Sequence, residues 1–282
     1  MTDPIVSVVI PTYRRVAELP DALASLERQT LRDFEVLIVD NHSDDGTAEL
    51  IAAQNDPRLN LSFVHNNGII AHSRNAGLAA ATGRYIAFLD SDDWWADTKL
   101  ERSVEALEGG ADISYHDLLI AKDPCTPVAG KRIRTWSVAD DPLSELVRNG
   151  NALANSSVVV RRETLSELRQ AENADLVGME DFDLWLRLAK AGARFARMPE
   201  ALGHYRVGDG NFTNPTRSLT ALRTLRRRHD ELAEAGWWFD YGMGRANYLL
   251  GHKREARTYL RRLVLKSAPL AIRAKAMWML LR

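Results

Sequence analysis

The sequence of 282 residues lacks the features that mark disulfide-rich, zinc-binding or membrane-spanning proteins. Its one cysteine, Cys125, cannot form an internal disulfide, and no Cys-X-X-Cys pair or Cys and His cluster is present to bind zinc. No window approaches the roughly 20 apolar residues that a membrane-spanning helix needs. The apolar run at residues 5–10 follows no basic segment, which predicts a buried strand rather than a signal peptide. These absences predict a cytoplasmic protein.

Two common nucleotide-binding loops are absent as well. The first predicted strand is followed by Pro11, Thr12 and Tyr13, and this turn has no glycine. A dinucleotide-dependent dehydrogenase needs a G-X-G-X-X-G loop at that point, so this class of enzyme is disfavoured. The sequence also has no G-X-X-X-X-G-K-[ST] motif, which argues against a P-loop nucleotidase.

Charge is unevenly distributed along the chain, although the formal net charge is only −1. Residues 217–282 contain 15 Lys and Arg against 5 Asp and Glu, whereas residues 1–216 contain 22 against 33. The basic segment is therefore expected to meet something anionic, which can be the acidic body, a membrane surface or a nucleic acid. Its arginines alternate with core-type leucines and form no nucleic-acid reading motif, so we expect no nucleic-acid partner.

The first hundred residues alternate between strand and helix patterns, in a chain whose 45 % hydrophobic and 27 % charged residues are typical of a folded globular protein. Parallel strands need helical crossovers of this kind, so the order predicts an α/β sheet. Ligands bind such sheets outside the carboxyl ends of the strands, which here are the polar residues after Ile10, Val39 and Leu89. The predicted strands are 5–10, 34–39, 59–64 and 85–89, and the predicted helices are 19–29, 47–54 and 71–81.

The rest of the chain is less regular up to residue 215 and helical beyond it. A helix is expected to start near residue 97 or 98, and a loop rich in Pro, Gly and charge is expected at residues 122–134. The other predicted elements are strands at 111–115 and 156–160 and helices at 142–148, 182–191, 219–235, 244–250, 254–265 and 270–281.

Three carboxylates, Asp90, Asp92 and Asp93, directly follow the apolar strand at 85–89. Hard oxygen ligands of this type suit Mg²⁺ or Mn²⁺ that bridges to phosphate oxygens. The alternative is that one or two of these aspartates only form a turn or cap the following helix. Their number and their place at the sheet edge favour a metal diphosphate site.

Four segments, at residues 6–13, 36–47, 73–77 and 90–93, together resemble family 2 of the inverting glycosyltransferases. The resemblance implies the GT-A type nucleotide-sugar-binding fold, an α/β fold with a mostly parallel central sheet, followed here by an α-helical C-terminal extension. Two departures stand out. The family pattern Asp-Asp-Gly-Ser is Asp40, Asn41, His42 and Ser43 here, and Ser73 replaces an alanine before Arg74.

The resemblance assigns most site residues to the donor, a nucleoside diphosphate sugar. An aromatic ring after the first strand can stack on the base, and a guanidinium can bind the departing diphosphate. It makes Asp92 the direct ligand of Mn²⁺ or Mg²⁺, with Asp90 contacting the ribose or a metal-bound water. The donor-binding candidates are Pro11, Thr12, Tyr13, Arg15, Asp40, Arg74, Asn75, Asp90 and Ser91.

The segment from Gly178 to Leu188 resembles the helix start that carries the family's catalytic base. An inverting transfer needs one base to take the proton of the acceptor hydroxyl, and Asp181 is the candidate, with Glu180 as an acceptor-binding residue. The alternative is that both acids only complement the helix dipole. Residues 204–206 resemble the family's closing segment, whose histidine falls here at Gly208, which cannot bind a metal. His204 is one substitute, although a lone histidine is more often structural. Residues 208–214 are predicted to form a lid.

These interpretations predict a domain at 1–215, with a donor half at 1–108 and an acceptor half at 109–215, and a basic helical extension at 216–282. The predicted function is metal-dependent transfer of a sugar, with inversion, from a nucleoside diphosphate sugar to a glycan or lipid-linked acceptor in cell-surface polysaccharide synthesis. A UDP-sugar is the expected donor. The alternative is a catalytically silent glycan-binding or scaffolding protein. The extension is predicted to contact anionic lipid at the inner face of the plasma membrane.

Overall fold

A computed structural model describes residues 3–124, 126–166, 168–207, 214–266 and 268–281. The strands are β1 (Val6–Thr12), β2 (Phe34–Asp40), β3 (Leu59–Phe63), β4 (Tyr85–Phe88), β5 (Trp94–Trp95), β6 (Ile113–Ala121), β7 (Pro127–Ile133), β8 (Val159–Arg161) and β9 (Phe195–Arg206). The helices are α1 (Leu19–Glu27), α2 (Thr47–Ala52), α3 (Ile70–Ala80), α4 (Lys99–Glu108), α5 (Pro142–Asn149), α6 (Arg162–Leu165), α7 (Glu180–Lys190), α8 (Pro215–Arg228), α9 (Trp237–Leu249), α10 (Lys253–Leu265) and α11 (Leu270–Leu280).

The strands form one sheet in the order β3-β2-β1-β4-β8-β6-β9-β5, with β7 paired to β6. The first four strands in this order are parallel, as the alternation of strands and helices predicts. The remainder is mixed, because β8 runs antiparallel to both of its neighbours whereas β6 and β9 are parallel. Strand β1 is buried along its whole length, which explains its unbroken apolar run.

Three expectations for the second half of the chain are wrong. The segment 122–134 is not only loop, since Pro127–Ile133 forms β7 against β6. The helix expected at 219–235 ends at Arg228, because His229 is extended and its ring bonds to Asp183. The helix expected at 244–250 begins earlier, at Trp237. The twelve-residue strand β9 was not predicted at all, because its register shifts and its pairing lies far away in sequence.

The hydrophobic residues form two large clusters associated with the sheet and one smaller cluster near the C-terminus. The first two helices of the basic segment, α8 and α9, pack into the same cluster as α7. The last two, α10 and α11, form the smaller cluster with each other and with α9. In the described part of the chain, every helix is too short or too polar to span a lipid bilayer.

The close approach of α3 to the sheet depends on Gly77. A Cβ atom at this position would lie 2.5 Å from Val9 Cγ1 and 3.4 Å from Val39 Cγ2, on β1 and β2. Since overpacking a tight core typically costs about 1–3 kcal/mol, we expect Gly77→Ala to lower the free energy of unfolding by that amount in urea denaturation. Gly109→Ala is the control, because a Cβ there meets only ordinary contacts; equal midpoints for the two variants would contradict the packing argument.

Candidate functional site

The carboxyl ends of β1, β2 and β4 place the sequence-predicted donor residues side by side. Thr12 pairs in register with Asp40, and Pro11 lies buried one residue earlier. The Oγ1 atom of Thr12 is buried and has no hydrogen-bond partner among the described residues, so an unsatisfied polar group lies at this strand end. Tyr13 stands at the rim with 47 % of its surface exposed. This edge therefore has an exposed aromatic ring beside the buried polar side chains of Thr12 and Asp40.

The carboxylate of Asp40 is buried at the end of β2. It accepts hydrogen bonds from the Ser43 hydroxyl at 2.6 Å and from the Ser43 N–H at 3.2 Å, so its orientation is fixed. His42 lies between them with a φ of 53°, the left-handed region that favours the glycine of the family pattern. Its exposed ring stacks on His65 with the ring centroids 3.9 Å apart. The departure in this motif thus places two imidazoles near the strand end.

The three aspartates after β4 have different environments. Asp93 is buried and accepts bonds from the Ser156 hydroxyl at 2.6 Å and the Arg206 N–H at 3.0 Å. Its pKa lies well above the usual range because of burial and the charges of Asp90 and Asp92. Asp93 therefore holds the loop in place. Ser91, another donor candidate, is also buried.

Asp90 and Asp92 are the aspartates of this loop whose side chains are partly exposed, by 28 % and 25 %. Asp92 forms an ion pair with Arg15 at 3.3 Å, and burial followed by the charge of Asp90 raises its pKa. In the described residues no three His, Cys, Asp or Glu side chains form a ready-made metal cage. Mg²⁺ commonly uses only one or two carboxylates plus substrate phosphates, and a dication would relieve the repulsion between Asp90 and Asp92. These two residues therefore fit an ion that binds together with a diphosphate.

Arg74 connects this loop to the start of α7. Its guanidinium is 3 % exposed and donates to Asp90 Oδ1 at 2.7 Å and to Glu180 Oε1 at 3.1 Å. A third bond reaches Gln170 Oε1 at 3.3 Å. Although burial opposes its charge, the two carboxylates raise the pKa of Arg74 further. The structure thus uses this arginine as a bridge between protein carboxylates.

Asn75 contacts the segment around Gln170. Its Nδ2 donates to the carbonyl of Gln170 and to Glu172 Oε1, both at 2.8 Å, and its Oδ1 accepts from the Gln170 N–H at 3.0 Å. These bonds hold the buried Gln170 against Arg74. Sequence reasoning missed Gln170, because nothing in its local sequence indicates a contact with residues 95 and 96 positions away.

Asp181 lies in the first turn of α7. Its Oδ1 accepts the Phe182 N–H at 2.6 Å, and its Oδ2 accepts from Asn151 Nδ2 at 3.3 Å. Burial, and then the charge of Glu180, raise the pKa of Asp181 to about 7; the charge of Asp90 acts in the same direction. A carboxyl group with this pKa holds a proton far better than an ordinary aspartate.

The third acid of α7, Asp183, has a structural role. It is fully buried and bonds to Arg228 at 2.8 Å, to His229 at 2.9 Å and to Arg187 at 2.9 Å. These partners lower its pKa, although burial alone would raise it. Asp183 fastens the end of α8 to α7, whereas Asp181 has no cationic partner in direct contact among the described residues.

The closing segment pairs with the acidic loop. His204 lies opposite Trp94 in the β5–β9 ladder and stacks on its indole, with the ring centroids 5.0 Å apart. Arg206 donates to the carbonyl of Asp92 at 3.0 Å and forms an ion pair with Asp21. Of the predicted lid at 208–214, residues 208–213 lie outside the described residues, and Asn214 caps α8 by accepting from the Thr216 N–H at 3.0 Å.

The parallel strand edge, the acidic loop after β4 and the acidic start of α7 define a GT-A type nucleotide-sugar-binding fold. Residues 7–157 match the family described as Glycosyl transferase family 2, and the chain belongs to this family. The match confirms the predicted family and fold class.

Curated relatives include several glycosyltransferases. The chain is 28 % identical over 245 residues to the putative teichuronic acid biosynthesis glycosyltransferase TuaG of Bacillus subtilis, covering 84 % of this chain and 93 % of TuaG. It is 31 % identical over 226 residues to the amylovoran biosynthesis glycosyltransferase AmsB of Erwinia amylovora, covering 73 % and 71 %. It is 29 % identical over 254 residues to WfgD of Escherichia coli, named UDP-Glc:alpha-D-GlcNAc-diphosphoundecaprenol beta-1,3-glucosyltransferase, covering 89 % and 93 %.

Solved structures share the fold at low sequence identity. The crystal structure of S. aureus TarS 1–349 in complex with UDP-GlcNAc has a TM-score of 0.65 and 18 % identity, covering 95 % of this chain and 83 % of that one. The mannosyltransferase PcManGT from Pyrobaculum calidifontis, in complex with GDP-Man and Mn²⁺, has a TM-score of 0.63 and 19 % identity, covering 97 % and 79 %.

Proposed function

We propose that this family 2 glycosyltransferase transfers a sugar, with inversion, from UDP to a hydroxyl group of a lipid-linked glycan in cell-surface polysaccharide synthesis. The observation that carries the proposal is the chain of contacts from Asp90 through Arg74 to Glu180, which joins the acidic loop to the helix of Asp181. The names of AmsB and WfgD support a polysaccharide product and a diphospholipid acceptor. The reaction then takes place at the cytoplasmic face of the membrane, within residues 1–215.

The donor is expected to occupy the edge formed by β1, β2 and β4. Tyr13 stacks on the base, and the fixed carboxylate of Asp40 accepts its N–H, with Pro11 and Thr12 beneath the nucleoside. The bound UDP-GlcNAc of TarS supports a uridine donor. This assignment leaves the stacked His42 and His65 at the margin of the base site, where they can tune its selectivity.

Asp92 and Asp90 would hold Mn²⁺ or Mg²⁺, as the Mn²⁺ of PcManGT also suggests. The ion would supply positive charge to the diphosphate as it leaves. Arg15 already approaches Asp92 and can turn to the phosphates, since its side chain is 40 % exposed. Ser91 and Asn75 complete the donor side by fixing the loop and the segment around Gln170.

Asp181 is proposed to accept the proton of the acceptor hydroxyl while the hydroxyl oxygen bonds to the anomeric carbon and the bond from that carbon to the diphosphate breaks on the opposite face. A raised pKa favours this proton transfer, because the driving force grows as the pKa of the base approaches the working pH. Glu180, held by Arg74 and the Gly178 N–H, supplies the second carboxylate on the acceptor side.

The donor assignment predicts a metal-dependent stabilisation by nucleotide. UDP with Mn²⁺, at about 100 times its Kd, should stabilise the folded protein by roughly 2.7 kcal/mol, seen as a rise in Tm. UDP alone should give little shift, and Asp92→Asn should lose the metal-dependent part. Asp97→Asn, an exposed aspartate paired with Arg28, is the control. No shift with any nucleoside diphosphate would instead favour a catalytically silent protein.

A further inference from the structure

The last helix, α11, is apolar on two opposite sides, and the protein covers one of them much more fully than the other. Ala276 and Met279 are buried, and Ile272 and Leu280 pack against α9 and α10. The other side is largely exposed: Leu270 is 81 % exposed and Leu281 is 82 % exposed, while Trp278 is half-exposed and its ring also contacts Tyr248 of α9, with the ring centroids 6.2 Å apart. A contiguous exposed apolar surface typically marks a site that contacts another molecule, so the outer side of α11 is expected to bind one.

The outer side forms a continuous apolar arc. At 100° per residue the six residues fall within about 120° of the helix circumference, with no charged residue among them. Arg273 and Lys275 border the arc on its two sides, and both are exposed. We call this surface the α11 arc; its apolar members are Leu270, Ala271, Ala274, Met277 and Trp278 of α11, and Leu281, which directly follows the helix.

The neighbouring helix α10 adds positive charge. Its exposed side carries five cations and one acid, Glu255, and α11 itself contains no acidic residue. This charge belongs to the segment in which Lys and Arg outnumber Asp and Glu by 15 to 5. The exposed cations of α10 are Lys253, Arg254, Arg257, Arg261 and Arg262.

We propose that the α11 arc inserts into the surface of an anionic lipid bilayer, with the cations of α10 and α11 at the headgroups. An apolar face bordered by Lys and Arg is typical of helices that lie in the membrane interface. Eleven residues give about 16 Å of helix, which suits a helix in the membrane plane and falls well short of a ~30 Å hydrocarbon core.

This inference concerns a surface other than the donor site, so it can be tested without a transfer assay. The full-length protein is mixed with vesicles of phosphatidylcholine alone or of phosphatidylcholine with phosphatidylglycerol, and the sedimenting fraction is measured at low and high salt. We expect binding to the anionic vesicles that weakens with salt and little binding to the neutral ones.

Two variants test the two parts of the surface. The serine variant, which combines Leu270→Ser, Met277→Ser and Leu281→Ser, should weaken vesicle binding at least tenfold. The charge variant, which combines Arg273→Glu and Lys275→Glu, should weaken it by a similar factor. The control is Arg32→Glu with Arg162→Glu, which makes the same change in net charge elsewhere and should leave binding within about twofold. All substituted residues are exposed, so urea midpoints should stay near that of the wild type.

Three outcomes would overturn the proposal. The first is absence of wild-type binding to the anionic vesicles, and the second is unchanged binding by the serine variant. The third is a wild-type dimer, seen by analytical ultracentrifugation, that the serine variant converts to a monomer while vesicle binding is absent. That result would assign the α11 arc to a second copy of the chain.

Discussion

Asp181→Asn should lower kcat by roughly 10² to 10⁴-fold, the usual contribution of a general base, while the nucleotide-dependent rise in Tm persists. The asparagine preserves the shape of the side chain and can still accept the Phe182 N–H, but it cannot take a proton. Measuring steady-state rates and UDP stabilisation on the same preparation separates chemistry from donor binding. Wild-type turnover in this variant would exclude Asp181 as the base.

The raised pKa of Asp181 predicts how both the activity and the stability of the protein depend on pH. The base must be deprotonated, so kcat/KM of the wild type should fall as the pH drops below about 7, the pKa of the free enzyme. Between the ordinary aspartate pKa and about 7 the folded state binds the extra proton, so this group makes the protein less stable as the pH rises. Asp181→Asn removes that penalty. A variant that is inactive but more stable than the wild type at pH 8 would therefore be expected, and a misfolded one would not behave in this way.

The predictable part of the molecule is the part whose signals are local. Strands β1, β2 and β4 are apolar runs that are each followed by polar groups, so residues such as Asp40 and Asp90 could be placed at one edge from chain order alone. The resemblance to the family then supplied roles that geometry by itself does not give. The α/β class and the family were confirmed on this basis, whereas the roles of the site residues stay predictions.

What could not be predicted depends on contacts between distant segments. Gln170 reaches Arg74 across 96 positions, and Asn151 reaches Asp181 across 30. The strand β9 is interrupted by Pro199 and Gly203, so its alternation is broken, and it forms because β6 is available to pair with it. Such elements are decided by tertiary pairing, which no local pattern reports.

Arg74 shows why these distant contacts matter for the site. The resemblance assigns it to the donor, yet its two terminal nitrogens already bind Asp90, Glu180 and Gln170, and only its Nε has no partner among the described residues. A cation in this place offsets the repulsion between two carboxylates of the protein, Asp90 and Glu180. Its direct effect is thus on the position and charge of the acids that are proposed to act on donor and acceptor.

Arg74→Met should consequently lower the free energy of unfolding at pH 7 by about 3–5 kcal/mol, the cost of removing one partner from a buried ion pair. Most of this loss in stability comes from Glu180, because its side chain is only 8 % exposed and its charge is left without a partner, whereas the Asp90 carboxylate can be hydrated. Arg74→Lys should cost less, because it keeps the charge but cannot reach both carboxylates with one planar fork. Urea denaturation followed by circular dichroism measures these differences.

The double variant Arg74→Met with Glu180→Gln decides whether charge or packing causes the loss. If the uncompensated carboxylate is responsible, removing its charge should recover part of the stability, so the double variant should be more stable than Arg74→Met alone. A purely additive result would mean that the methionine fails because of its shape. A loss below about 1 kcal/mol in Arg74→Met itself would place the pair in the range of surface salt bridges and remove the argument that it couples the acidic loop to α7.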